Sequence, residues 1–166
     1  MKNWYQSQRG YFAGVLHEEM KKNKDIWLID ADVGFGMFDK IRKDFPNRYI
    51  NAGAAEQAAV GIAVGLAQEG KIPFVYIFTA FMLRAVETIN LYLHNEQVNV
   101  KLVGSGRDND YKIDNGISHV PYVAQKIFRT LNIVKLWPEK KQEVPKMVKK
   151  MIKDNKPHFL SLRRSI

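Results

Sequence analysis

Apolar residues along this chain switch repeatedly between a 3.6-residue period and short unbroken runs, the pattern of amphipathic helices alternating with strands buried on both faces. Arg9 to Lys22 reads as a helix, with Phe12, Val15, Leu16 and Glu19/Met20 on one face, and Asp25 to Asp30 as a buried strand. A loop with Gly34 and Gly36 leads to a second strand, Arg48 to Asn51. The small-residue helix Ala54 to Gln68 follows, closed by Gly70 at the C-cap position. Pro73 to Phe78 and Val98 to Gly104 read as strands flanking a helix over Phe81 to Leu93. After a polar loop from Ser105 to Ser118 come the helix Pro121 to Leu131, the strand Ile133 to Leu136, a helix from Pro145 to Lys153 and the strand His158 to Leu162. This order predicts a doubly wound α/β fold: a mainly parallel sheet, helices on both faces, and ligands at the carboxyl ends of the strands. At 166 residues, without repeats or a composition break, residues 1–166 are expected to form a single domain.

Composition removes several chemistries. The chain has no Cys, which excludes disulfides, thiolate zinc sites and Cys nucleophiles and is compatible with the cytoplasm. It begins without the apolar segment of a signal peptide and has no run long enough to span a membrane, so no membrane partner is expected. The net charge of +9 would suggest a polyanion partner, but the segment from Lys135 to Arg164 carries ten basic and three acidic residues, +7 of that total. In its helix, Val144, Met147, Val148, Met151 and Ile152 form an apolar stripe, and Lys146, Lys149, Lys150 and Lys153 occupy the other side. A solvated helix face is therefore preferred over a nucleic-acid surface, and no nucleic-acid partner is expected.

Four segments at the predicted carboxyl ends carry polar chemistry. The first, Asp30-Ala31-Asp32-Val33-Gly34-Phe35-Gly36, lacks the third glycine of a dinucleotide fingerprint, and its carboxylates would repel a pyrophosphate. The second places Glu56 at the head of a helix among Ala, Val and Gly; the helix dipole alone could account for it, but an apolar setting favours its protonated form and sharing of a proton with a ring nitrogen. In the third, Phe78 and Phe81 are spaced to offer aromatic faces to a flat ligand or to join the core, and Arg84 follows one turn later, facing the same pocket or pairing with Glu87. The fourth ends at His119, just before a Pro-started helix. His17, His94 and His158 have no metal-ligand spacing, and no metal site is legible.

Together, DADVGFG at Asp30, FPNRYINAGAAEQAAVGIAVGLAQEGKIPFV from Phe45, FTAFMLRAVETI from Phe78, VKLVGSG from Val100 and GISH from Gly116 resemble the pyrimidine-binding domain of transketolases and related thiamine diphosphate enzymes. The likeness runs from about Arg9 to Arg163 and is greatest to members encoded as short separate subunits. The resemblance implies a transferase moving a two-carbon ketol unit between sugars or sugar phosphates. It assigns Glu56 to N1′ of the cofactor's aminopyrimidine, where protonation favours the 4′-imino tautomer that removes the proton from thiazolium C2. It further assigns Phe78 and Phe81 to the pyrimidine ring, Arg84 to the substrate channel, His119 to the ketose oxygens and to proton transfer, and Asp32 to the cofactor and dimer contact. Gln57 and Val120 stand where many transketolases have histidine, so donor and acceptor specificity do not carry over. No G-D-G with a downstream Asn, the family's metal and diphosphate motif, occurs. The resemblance therefore implies a diphosphate-binding partner subunit that holds Mg²⁺, in a homodimer or heterotetramer. A non-catalytic scaffold of the same fold and a basic nucleic-acid-binding module are the competing readings.

Overall fold

The computed structural model of the protein describes residues 6–164. Six parallel strands, β1 (Ile26–Asp30), β2 (Tyr49–Asn51), β3 (Ile72–Phe78), β4 (Lys101–Ser105), β5 (Val134–Leu136) and β6 (His158–Leu162), form one sheet in the order β2-β1-β3-β4-β6-β5. Alternation along each strand divides the core. Leu28, Phe74, Tyr76, Val103 and Leu160 face one side, where they meet Phe12, Leu16 and Met20 of helix α1 (Gln8–Lys22). Ile29, Val75, Ile77, Leu102 and Phe159 face the other, against Ala59, Val60, Ala63 and Val64 of another helix (Glu56–Gln68). The doubly wound parallel α/β architecture expected from the sequence is the one observed.

Local chemistry explains several element ends. The Ser7 side chain accepts from the Gly10 amide and starts α1, one residue before the predicted onset. The other end of α1 is closed by Arg48, whose guanidinium donates to the carbonyls of Met20 at 3.0 Å and Asn23 at 2.9 Å. The expected loop after β1 contains a short helix, α2 (Asp39–Asp44), anchored by buried Ile41. Helix α3 (Glu56–Gln68) ends where Gly70 adopts φ +75° and its amide donates to Ala67, as the glycine predicted. After β3 the chain winds as a 3₁₀ helix over Thr79–Ala85, passes through a single α turn, α4 (Val86–Thr88), and continues as a π helix over Ile89–Asn95. The uniform helix expected over Phe81 to Leu93 is thus replaced by three windings. Buried Met82, Ala85, Ile89 and Leu93 keep the segment on the sheet, so packing rather than a single helical period decides its course.

A one-turn helix, α5 (Lys112–Asn115), interrupts the loop after β4, and α6 (Tyr122–Thr130) and α7 (Val144–Lys153) follow with Pro121 and Pro145 at their starts. On α7, Val144, Val148 and Met151 are buried, and Lys146, Lys149, Lys150 and Lys153 are exposed, as the stripe required.

Two close contacts at opposite ends of β4 bear on stability. Gly104 lies where a Cβ would meet Thr79 Oγ1 at 2.5 Å and Phe159 Cε2 at 2.9 Å. Thr79 cannot swing away freely, because its hydroxyl donates to the Gly106 carbonyl at 2.7 Å. At the amino end, fully buried Lys101 donates to the carbonyls of Asp154 at 2.6 Å and Lys156 at 2.8 Å, holding the end of α7, and burial lowers its pKa to about 7. Beside it, burial and the Lys101 charge hold His158 at about 4. Gly104→Ala should cost about 1–3 kcal/mol by overpacking, read from denaturant unfolding. His158 is neutral when folded and takes up a proton near its ordinary pKa when unfolded, so the unfolded state binds more protons between about pH 6.5 and 4. Stability should therefore fall as pH drops through that window, and the fall should be shallower in His158→Gln by urea midpoints measured at each pH.

Candidate active site

The carboxyl ends of the strands share one edge of the sheet: Asp30 is in register with Asn51 and Tyr76, and Phe78 with Ser105, which pairs with Leu162. Strand order reverses between β1 and β3, leaving a crevice at that edge. The segment leaving β1 is held by Asp30, whose carboxylate accepts from the Tyr49 hydroxyl at 2.5 Å and the Val33 amide at 3.0 Å. Burial raises the pKa of Asp30, against the effect of those hydrogen bonds. Asp32 is exposed with φ +55°, a left-handed conformation that aspartate tolerates better than most residues. It lines a cleft of about 360 Å³ together with Arg9, Phe78 and Tyr111.

Glu56 is the first residue of α3, and only 3% of it is exposed. Its Oε1 accepts from Arg84 at 2.6 Å; its Oε2 is buried and has no hydrogen-bond partner among the described residues. The apolar shell expected around Glu56 is thus completed by a cation, and Arg84 reaches Glu56 rather than Glu87. The helix dipole acts in the same direction as the guanidinium on a carboxylate at this position.

The 3₁₀ winding after β3 explains why Arg84 arrives there. Residues three apart eclipse on such a helix, so Phe81 and Arg84 project together, and the guanidinium carbon lies 4.4 Å from the centroid of the Phe81 ring. Phe81 meets Phe78 edge to face at 5.5 Å between centroids, and both rings contact His119, at 4.7 Å from Phe81 and 5.1 Å from Phe78. His119 is half-buried, with Nδ1 3.0 Å from the Ser118 hydroxyl. The structure therefore joins Glu56, Arg84, Phe81, Phe78 and His119 in one continuous set of contacts, and Asp32 shares a cleft with Phe78.

Sequence reasoning missed Tyr111. It is buried, meets Phe78 edge to face at 4.9 Å, and binds Arg9 and Ser105 through its hydroxyl. The one signal for it in the sequence is that Tyr111 is the sole aromatic residue in the polar loop between Ser105 and Ser118. A surface groove of about 700 Å³ lies elsewhere, along the lysines of α7.

Chemically, a buried carboxylate with one free oxygen beside a wall of aromatic rings suits a flat heterocycle carrying a ring nitrogen. The half-buried imidazole across the rings adds a group able to donate and accept hydrogen bonds.

Residues 6–166 match the family model for the transketolase pyrimidine-binding domain. The 6-deoxy-6-sulfo-D-fructose transketolase subunit SqwH of a Clostridium species is 34% identical over 125 residues, 74% of this chain and 38% of that protein. One of the subunits of an apulose-4-phosphate transketolase from Phocaeicola vulgatus is 29% identical over 161 residues, 95% of this chain and 51% of that protein. Among solved structures, one described as a split gene transketolase, an inactive tetramer of beta chains, superposes with a TM-score of 0.83 at 30% identity, covering 96% of this chain and 52% of the other. The chain thus spans about half or less of the length of these relatives. A domain match across nearly the whole described length, on the fold and the strand edge that the residues themselves indicate, places the chain in the family of transketolase pyrimidine-binding domains.

Proposed function

We propose that this chain is the pyrimidine-binding half of a thiamine diphosphate-dependent, transketolase-like transferase, which moves a two-carbon ketol unit between sugars or sugar phosphates and works with a diphosphate-binding subunit. The observation that carries the reading is the buried Oε2 of Glu56, which has no hydrogen-bond partner among the described residues, on a carboxylate joined through Arg84 to the Phe81 ring at the strand edge where ligands of this fold class bind. An orphaned buried carboxylate oxygen is costly unless a ligand supplies its partner.

The residues present fit the aminopyrimidine of thiamine diphosphate. Bound there, the cofactor supplies a carbon nucleophile able to accept the ketol unit. With the cofactor bound, Glu56 would share a proton between Oε2 and a ring nitrogen, while Arg84, on Oε1, fixes the carboxyl group and leaves the second oxygen without a partner among the described residues. Phe78 and Phe81 form an apolar wall that excludes water from the proton exchange. His119, packed on both rings, hydrogen-bonds ketose oxygens and moves a proton there. Asp32, at the rim of the adjoining cleft, contacts the cofactor or the neighbouring chain.

In this reading Mg²⁺ and the diphosphate belong to the partner subunit. The matched split transketolase, described as an inactive tetramer of beta chains, favours a partner-dependent enzyme, assembled as a homodimer of such halves or a heterotetramer. No helix among the described residues is long and apolar enough to cross a membrane, and the cysteine-free composition suits the cytoplasm.

In the complex with a diphosphate-binding subunit, Glu56→Gln should slow C2 proton exchange of thiamine diphosphate at least ~10²-fold, measured by NMR, with the circular dichroism of the chain unchanged. Undiminished exchange would remove Glu56 from the proton path. Alone, the chain should turn over no ketose donor in a coupled assay and should gain activity on titration with the diphosphate-binding subunit; robust turnover without it would overturn the two-component reading.

A further inference from the structure

The loop from Gly106 to His119 carries the imidazole of the site, yet most of its residues are exposed. Tyr111 is buried within it, at 6% exposure, and turns inward beneath the aromatic rings. Its hydroxyl accepts from Arg9 Nη1 at 2.8 Å and lies 2.9 Å from Ser105 Oγ, so one oxygen ties the loop both to α1 and to the end of β4. Its ring meets Phe78 at 4.9 Å and 89°, and its centroid lies 6.1 Å from that of His119. The backbone is arranged around this side chain. Gly106 has φ +85°, and a Cβ there would strike the Tyr111 ring. One residue before the tyrosine, the Asp110 carboxylate accepts from the Arg107 amide at 3.0 Å and the Arg164 amide at 2.7 Å, clasping the neck of the loop against the chain leaving β6.

We propose that Tyr111 is a positioning residue of this site, fixing His119 and Phe78 relative to each other by wedging its ring beneath them and anchoring that ring through its hydroxyl. The proposal rests on the reading of the site given above. A half-buried imidazole on a largely exposed loop loses orientation readily, since rigid placement of a functional side chain depends on the packing that supports it. Phe78 is fixed by β3; His119 depends on the loop, and Tyr111 is the buried loop side chain that touches strand and helix together.

The test uses histidine-labelled full-length chain, with the His119 ring signals assigned by their loss in His119→Gln. Ring currents from Phe78 and Phe81 should displace those signals from the free-histidine position. In Tyr111→Leu the displacement should fall by at least half; in Tyr111→Phe, which keeps the ring and loses the anchor, it should fall by an intermediate amount. In the reconstituted two-subunit enzyme, the same order should appear as a rise in the ketose KM, roughly tenfold for Tyr111→Leu, with a smaller change in kcat. An unchanged His119 displacement in both variants, with the chain folded by circular dichroism, overturns the proposal. If Tyr111→Leu does not fold, Tyr111→Phe decides alone, an unchanged displacement again overturning it. A collapsed displacement with KM and kcat both unaltered would leave the hold on His119 standing and overturn the placement of His119 at the substrate.

Discussion

Consecutive strands of a parallel sheet must be joined by a crossover long enough to return the chain to the same edge, and those crossovers cover both faces of the sheet. Every strand of this protein obeys that constraint, so Phe74 and Tyr76 bury on one face while Val75 and Ile77 bury on the other. With both faces sealed, polar chemistry is left to the ends of the strands. The amino end is used for stability, with Lys101 buried among the carbonyls that follow α7. The carboxyl end pairs Asp30 with Asn51 and Phe78 with Ser105, and the candidate site lies there.

Within the site, charge and winding depend on each other. Glu56 is nearly as buried as the core leucines, and a carboxylate at that depth needs compensation. Arg84 provides it at one oxygen while more than half of its own side chain stays in contact with solvent, so only one partner bears the full cost of desolvation. The guanidinium reaches that position because the segment after β3 is 3₁₀ rather than α, which sets Phe81 and Arg84 on one line. Phe81, in the first turn of that winding, packs edge to face on Phe78 at the end of β3.

The fastening of the loop after β4 follows a different logic. Three acidic residues of the loop each find a basic partner at the end of the chain: Asp108 with Arg163, Asp110 with the Arg164 amide, and Asp114 with the Arg164 side chain. Part of the C-terminal positive charge is thereby used on the site loop. The lysines of α7, the helix that packs against α1, are solvated instead.

Periodicity alone was enough to recover the alternation of strands and helices, because each element's apolar spacing reports its own geometry independently of the rest of the chain. It also placed Glu56, Phe78, Phe81, Arg84, His119 and Asp32 at strand ends, where the family resemblance gave them roles. Periodicity could not reveal that Arg84 pairs with Glu56, 28 residues away in sequence, or that Oε2 is left free, since both depend on how α3 and the segment after β3 pack across the sheet. It could not find Tyr111 for the same reason: a tyrosine in a polar loop carries no period, and its partners Arg9 and Ser105 lie on a helix and a strand far apart along the chain. Residue types and local spacing determined which elements form and which edge carries chemistry. Tertiary packing alone decided which charges meet, which carboxylate oxygen has no partner among the described residues and which rings pack on His119, because those are contacts between segments that only the folded sheet brings together.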